Sequence, residues 1–176
     1  SAAPAPGGGG GAAMAGALAA ALASMVANLT IGKEKFADRE PEVKELVEQA
    51  EAERVRLLAL VDEDAAVFNS FMSCYKLPKT TDEEKAARTA AIRAAAKQAA
   101  TVPLNIARSS FAVLKLADRL VVAGNPGVIT DGACSGLLAR AALRCAECNV
   151  RINLGLTKDE AWNAQAAAEL EQLLAD

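Results

Sequence analysis

AAMAGALAAALASMVANLTI, residues 12–31, carries no charged side chain and is mostly alanine. Its larger apolar residues, Met14, Leu18, Leu22, Met25 and Leu29, step by four, four, three and four. That spacing draws one stripe along a helix, with alanine and glycine on the other faces. The run is long enough to raise a membrane span, yet Ser24, Asn28 and Thr30 make its end polar. No lysine or arginine precedes it to set an orientation, and no small-residue cleavage pattern follows. A buried central helix is the preferred reading, and a membrane helix the lesser one. The whole chain shares this character, at 52% hydrophobic but only 3% aromatic. Small side chains let helices approach closely and alanine favours the helix, whereas a β-sandwich needs branched and aromatic residues.

Outward from that stretch, the sequence reads as helices separated by punctuation. SAAPAPGGGGG, residues 1–11, is expected to be a Pro/Gly-rich loop leading into a first helix from about Ala12 to Leu29. A second, long helix is expected from Pro41 to about Cys74, since Val43, Val47, Ala50, Leu57, Val61, Ala65, Phe68 and Met72 keep helical register. Thr81-Asp-Glu-Glu84 has capping-box form and opens a third helix to about Ala100. Pro103 predicts a kink or break before a fourth, which ends at Gly124. A fifth is expected from Gly132 to Asn149, capped by Thr130 or Asp131, with NVRINLG as an irregular end. Thr157-Lys-Asp-Glu160 then caps a last helix through Leu174. The expected fold is all-α: a single domain over 1–176, an up-and-down bundle of five to six helices.

Composition excludes more than it selects. Net charge is -3 with no basic stripe, which argues against a nucleic-acid partner. There is no histidine, so histidine general acid/base chemistry, histidine-dependent nucleophiles and nearly all catalytic zinc sites are removed. Of the four cysteines, Cys145 and Cys148 have C-x-x-C spacing, but no second pair completes a zinc set. Small buried side chains in a reducing compartment are the preferred reading, and no metal site is expected.

The punctuation itself is distinctive. PAPGGGG at 4–10, SMVANLTIGK at 24–33, VDEDAAVFN at 61–69, YKLPKTTDEEKAAR at 75–88, VPL at 102–104, GNPGVITD at 124–131 and NVRINL at 149–154 follow one another in order. In this the chain resembles the formiminotetrahydrofolate cyclodeaminase and methenyltetrahydrofolate cyclohydrolase family, across almost its whole length. The four-glycine form and NLTIGK look more like the free-standing bacterial cyclohydrolases. The resemblance implies an all-helical homodimer with folate in a groove near the subunit interface. It implies either hydrolysis of 5,10-methenyltetrahydrofolate to the 10-formyl form, or closure of 5-formiminotetrahydrofolate with loss of ammonia. No cofactor beyond the tetrahydrofolate substrate is expected. The chain begins almost at the glycine motif and stops early in its last helix, which reads as a trimmed core or a truncated interface. Thr130-Asp131 stands where the family commonly has Ser-Asp, and Gly132-Ala133 where it often has Ala-Gly.

Both reactions pass through a tetrahedral carbon between N5 and N10, so a carboxylate is sought to face the cation or take a proton. Asp131 is the first candidate, with helix capping as its competing role. Asp64 shares a face with Phe68 and is expected to point inward, where an elevated pKa suits acid/base work; Asp62 reads as solvated. Lys33 is the third catalytic candidate, to steer a proton near the departing nitrogen, and Lys79 a rim cation for the glutamate tail. Gly7, Gly8, Gly9 and Gly10 are expected to bring main-chain N–H groups to the ligand. Asn28 and Thr30, where an apolar helix turns polar, and Asn125, within GNPGVITD, are substrate-binding candidates. Arg151 and Asn153 share a side if NVRINL is extended, and Asn149 joins them there. Trp162 reads as core cover.

Three readings of function stay open. A cyclohydrolase leads, a cyclodeaminase is its neighbour, and a catalytically inactive structural subunit, within a possible larger assembly, is the third. A cytoplasmic location is expected, or an organellar matrix after loss of a transit peptide; no membrane partner is expected.

Overall fold

The computed structural model describes residues 6–175. Pro4 and Ala5 of the glycine motif lie outside them. Five α-helices follow in order: α1 Gly8–Asn28, α2 Glu40–Cys74, α3 Asp82–Ala123, α4 Ile129–Thr157 and α5 Glu160–Ala175. Short 3₁₀ turns lie at Glu34–Phe36 and Pro126–Val128, and no strand occurs among the described residues. Helices α1 to α4 run up, down, up and down, and α5 packs across α3 and α4. Three ion pairs hold α5 in place, Arg108–Glu169, Lys97–Asp159 and Arg151–Glu171.

The central position of α1 matches the expectation, but its orientation does not. Ala12, Ala13, Ala17, Ala19, Ala20, Ala23 and Ala27 are buried, while Met14 and Leu18 are 51% and 54% exposed. Met25 and Leu29 are exposed as well. The alanine face meets the bundle because three neighbours crowd it too closely for larger groups. One such approach is direct: the Ser135 hydroxyl of α4 donates to the Ala19 carbonyl of α1 at 2.7 Å. By length and composition α1 is the one helix among the described residues that meets the requirements for crossing a membrane, and 61% of its apolar span is buried in the bundle.

Five boundaries differ from the sequence reading. Helix α4 begins at Ile129 rather than Gly132, with Val128 as N-cap, so Thr130 and Asp131 lie inside its first turn and neither caps it. Helix α1 starts inside the glycine run rather than at Ala12, with Gly7 as N-cap and a bond from Gly11 N–H to the Gly7 carbonyl. Burial against α2 and α4 outweighs the poor helix propensity of glycine. Pro103 does not break its helix; α3 passes through it without interruption. NVRINL is helical within α4, which puts Arg151 and Asn153 on different faces. Finally, Thr157 closes α4 instead of capping α5: the Asp159 carboxylate accepts the Trp162 N–H in the capping position. The Thr81–Glu84 capping box is present as expected, with reciprocal bonds of 3.2 Å. Trp162 is half-buried against the core, as expected. The cysteines correct the reading made of them, since Cys134, Cys145 and Cys148 are exposed on α4 rather than buried.

Two features of the packing matter for function. From Met72 to Ala95 the α2–α3 hairpin contains no buried residue, so it projects past the core as an arm. And Gly16 is where α1 presses on α2 and α3: a Cβ there would meet Leu57 Cδ2 and Ser110 Oγ, both at 3.1 Å. Gly16→Val is therefore expected to destabilise the bundle by about 1–3 kcal/mol through overpacking. Urea unfolding monitored by circular dichroism checks this, and an unchanged midpoint would show that the helices can spread to admit a side chain.

Candidate functional site

At the amino-terminal end of α1 the four bundle helices enclose a cavity of about 240 Å³. Helix α1 contributes Gly7, Gly8 and Gly9; helix α2 contributes Asp64, Val67, Phe68 and Phe71. The last four follow i, i+3, i+4 and i+7, one face of a helix. Helix α3 adds Ala99 and Val102, and α4 adds Asn149, Ile152 and Asn153. The walls are mainly apolar, with few polar groups directed into the space, which is the usual make-up of a small-molecule site.

Asp64 is the ionisable group of the cavity. Its Oδ2 accepts the Gly10 N–H at 2.8 Å, which ties α2 to the start of α1. Gly9 makes the approach possible, because a Cβ at that position would overlap the Asp64 carboxylate. Partial burial raises the Asp64 pKa above the ordinary aspartate value, and the Gly10 hydrogen bond offsets only part of that rise. The carboxylate is thus partnered by a single backbone N–H and stands over apolar side chains. It is a base or acid held closer to neutrality than a surface aspartate.

Asn153, one of the two polar residues that α4 turns to the cavity, owes its orientation to Pro103. Proline has no N–H, so the Ala99 carbonyl one turn earlier lacks its helical donor. The Asn153 side chain fills the gap, Nδ2 donating to the Ala99 carbonyl at 2.7 Å. Asn149 lies one turn before Asn153 and donates Nδ2 to the Cys145 carbonyl at 2.8 Å. Asn149 also sits against Gly8, where an added Cβ would come within 3.3 Å of Nδ2.

The remaining candidates lie elsewhere. Asn28 and Lys33 are exposed at the carboxy-terminal end of α1, roughly 30 Å from the cavity at 1.5 Å per residue. Thr30 is buried there; its hydroxyl donates to the Val26 carbonyl and accepts the Asn125 N–H at 2.9 Å. Asn125 in turn donates to the Leu29 carbonyl and accepts from Gly127 N–H, so this pair braces two loops. Asp131 lies in the first turn of α4 at the same end, half-buried. Lys79 is exposed on the projecting hairpin, and Asp62 is exposed on α2, as read. Arg151 points away from the cavity into ion pairs with Glu147 and Glu171. So Gly7, Gly8, Gly9, Asp64 and Asn153 gather with Asn149 at one end, Gly10 buried behind them, while Asn28, Thr30, Lys33, Asn125 and Asp131 gather at the other. Sequence reasoning missed Val67, Phe71, Ala99, Val102 and Ile152. The first two continue the Asp64–Phe68 face and were accessible from spacing, but the others are visible only once the helices pack.

Comparison with known proteins followed the same lines. The family described as Formiminotransferase-cyclodeaminase matches residues 1–172. The chain is 46% identical over 176 residues to a methenyltetrahydrofolate cyclohydrolase of Methylorubrum extorquens, covering 100% of this chain and 85% of that protein. It is 34% identical over 170 residues to the formimidoyltransferase-cyclodeaminase of Sus scrofa, covering 97% of this chain but 31% of that longer protein. A crystal structure of formiminotetrahydrofolate cyclodeaminase from Thermotoga maritima superposes with a TM-score of 0.88 at 32% identity, over 99% of this chain and 83% of that one.

The raised Asp64 pKa has a consequence for folding. An acid that binds its proton more tightly in the folded state costs stability wherever it is ionised, so the cost is present above the folded pKa. It is relieved as pH falls through that value, and is gone below the unfolded value of about 3.8. Asp64→Asn is therefore expected to be more stable than the parent at neutral pH, with the difference closing on acidification toward pH 4. Thermal unfolding of both proteins across that range checks it; a parent more stable than the variant at neutral pH would mean that the Gly10 bond outweighs burial.

Proposed function

The chain belongs to the formiminotransferase-cyclodeaminase family, and from that premise we propose that it is a methenyltetrahydrofolate cyclohydrolase, interconverting 5,10-methenyltetrahydrofolate and 10-formyltetrahydrofolate. The observation that carries the proposal is Asp64, a carboxylate with an upward-shifted pKa in a mainly apolar cavity beside the glycine helix start. Identity of 46% to a cyclohydrolase along the full chain favours this reaction over the related ring closure.

The substrate is a cation delocalised over N5, the methenyl carbon and N10. In the proposed cavity the Asp64 carboxylate faces that cation and orients a water. The water oxygen bonds to the carbon, the π electrons return to nitrogen, and Asp64 takes the released proton. The hydroxyl proton then leaves to solvent as its oxygen forms the carbonyl, and the C–N5 bond breaks while N5 takes the proton held by Asp64, leaving the formyl group on N10. A cavity of about 240 Å³ suits the bicyclic head rather than the whole folate, so the aminobenzoyl-glutamate tail lies outside. Lys79 on the projecting hairpin is the cation proposed for its carboxylates. No step calls for a metal or a redox cofactor. A cytoplasmic setting belongs to the same proposal.

We further propose a homodimer through the outward face of α1. Met14, Leu18, Met25 and Leu29 form an exposed apolar line, with Leu58 of α2 and Leu137 of α4 also exposed. Such a face on a charged protein favours a self-complementary contact. With the two-fold axis set across α1, the helix runs antiparallel to its copy, so the end bearing Asn28, Lys33 and Asp131 approaches the partner's cavity. Lys33 and Asp131 then act from the second subunit.

The cyclodeaminase reading keeps one specific support, the structural likeness to the Thermotoga maritima protein. Incubating the purified protein with methenyltetrahydrofolate and, separately, with formiminotetrahydrofolate divides the two. Loss of methenyl absorbance well above the uncatalysed rate, without matching ammonia release from the second substrate, is the expected result. Asp64→Asn is expected to lower that rate about 10²–10⁴-fold. Leu18→Glu is expected to yield a monomer by analytical ultracentrifugation with most activity lost; a fully active monomer would sink the shared site.

A further inference from the structure

We propose that Asn149 and Asn153 form an acceptor pair that reads the N–H edge of a reduced pterin, the 2-amino group and its neighbouring ring N–H groups. The inference deepens the folate reading of the same cavity and rests on it. Its starting point is the direction in which each amide is held. A carbonyl oxygen carries no proton, so the side-chain group facing it must be the amide nitrogen. Asn153 turns Nδ2 to the Ala99 carbonyl, and Asn149 turns Nδ2 to the Cys145 carbonyl. Both flips are therefore settled by the partner rather than by choice.

Each residue is left with its Oδ1 and the second hydrogen of its Nδ2, and neither Oδ1 has a donor among the described residues. Both residues line the cavity, one helical turn apart on the same face of α4. Asp64 completes the set across the cavity with an Oδ1 that makes no hydrogen bond among the described residues, its Oδ2 being taken by Gly10. The side chains of the site thus place three oxygens toward the space, the two amide Oδ1 atoms and the Asp64 Oδ1. A flat ring with an edge of several N–H groups meets its complement there. A reduced pterin head has that form. Phe68 and Ile152, both exposed at the cavity, supply apolar surface for a ring.

Pro103 sets one member of the pair, Asn153, and the Cys145 carbonyl of α4 sets the other. With an ordinary residue at 103 the Ala99 carbonyl would be satisfied within α3, and the Asn153 amide would be free to turn and present N–H groups instead. The proline fixes Asn153 as an acceptor without a covalent constraint on α4.

The test is calorimetric binding of tetrahydropterin and of its analogue with hydrogen in place of the 2-amino group, both under anaerobic conditions. The parent protein is expected to prefer the amino compound about tenfold or more, because the bound analogue covers an acceptor and leaves it unpaired. Two variants remove the pair: Asn149→Ala, and Asn153→Ala combined with Pro103→Ala. In the second, residue 103 returns an N–H to the Ala99 carbonyl, so the fold keeps its hydrogen bond while the recognition group is lost. Each is expected to retain the parental circular dichroism spectrum and to reduce the preference to within about threefold. A preference undiminished in both folded variants, no preference in the parent, or no binding of tetrahydropterin at all overturns the inference. Turnover of methenyltetrahydrofolate by the parent is read separately. Catalysis with an asparagine-independent preference removes the acceptor pair alone, and an asparagine-dependent preference without catalysis removes the cyclohydrolase reading alone.

Discussion

The architecture depends on how little side chain α1 places between itself and its neighbours. From Gly9 to Ser24 its buried face is glycine, alanine and serine only. Each such residue buries little apolar area, so the hydrophobic gain per residue is small. Close approach compensates through many short-range contacts between backbones and small groups, at the density typical of protein interiors. The same closeness lets Ser135 reach a main-chain carbonyl of α1, and lets the Asp64 carboxylate reach the Gly10 N–H. The catalytic candidate is therefore a product of the packing: a bulkier residue at position 9 would push it out.

Periodicity revealed the helices more readily than their orientation. A stripe of Met14, Leu18, Leu22, Met25 and Leu29 announces a helix wherever it points. The habit that large residues face inward fails here because the neighbouring helices leave no depth for them. Local punctuation misled for a related reason. Pro103 is a helix breaker by its own chemistry, and the donor that repairs the lost bond is Asn153, far along the chain on another helix. NVRINL looks irregular for its polar residues, yet the backbone stays helical: Asn149 and Asn153 line the cavity, and Arg151 makes ion pairs on another face. Capping boxes show both outcomes: Thr81 does what its motif says, whereas Thr157 is displaced by Asp159 two residues on.

The candidate site was legible where one helix carries its own evidence. Asp64 and Phe68 are four apart on α2, which is enough to place a carboxylate beside an aromatic ring. It was not legible where the grouping is tertiary. Asp131 and Lys33 stand in motifs as conspicuous as the glycine run, and nothing in a linear reading says that the length of α1 separates them from it. Within one chain they brace or border a different end of the bundle. On the dimer proposed here, the antiparallel course of two copies of α1 turns that separation into proximity, which is why both sets of motifs can serve one reaction.

A site without histidine needs another group to exchange a proton, and the surroundings of Asp64 prepare one by raising its pKa above that of an ordinary aspartate. Burial raises its pKa, and the single bond from Gly10 lowers it less than burial raises it. On the proposed reaction the ligand shifts this balance twice. The methenyl cation is an opposite charge close to the carboxylate, which favours the ionised form and so prepares a base when substrate is present. Once water has added and the positive charge is consumed, that attraction is lost and burial again favours the protonated acid. The group that took the proton is then disposed to hold it until N5 or solvent accepts it. Partial burial serves this alternation: a fully exposed carboxylate would stay ionised throughout, and a fully buried one would resist ionising even beside the cation.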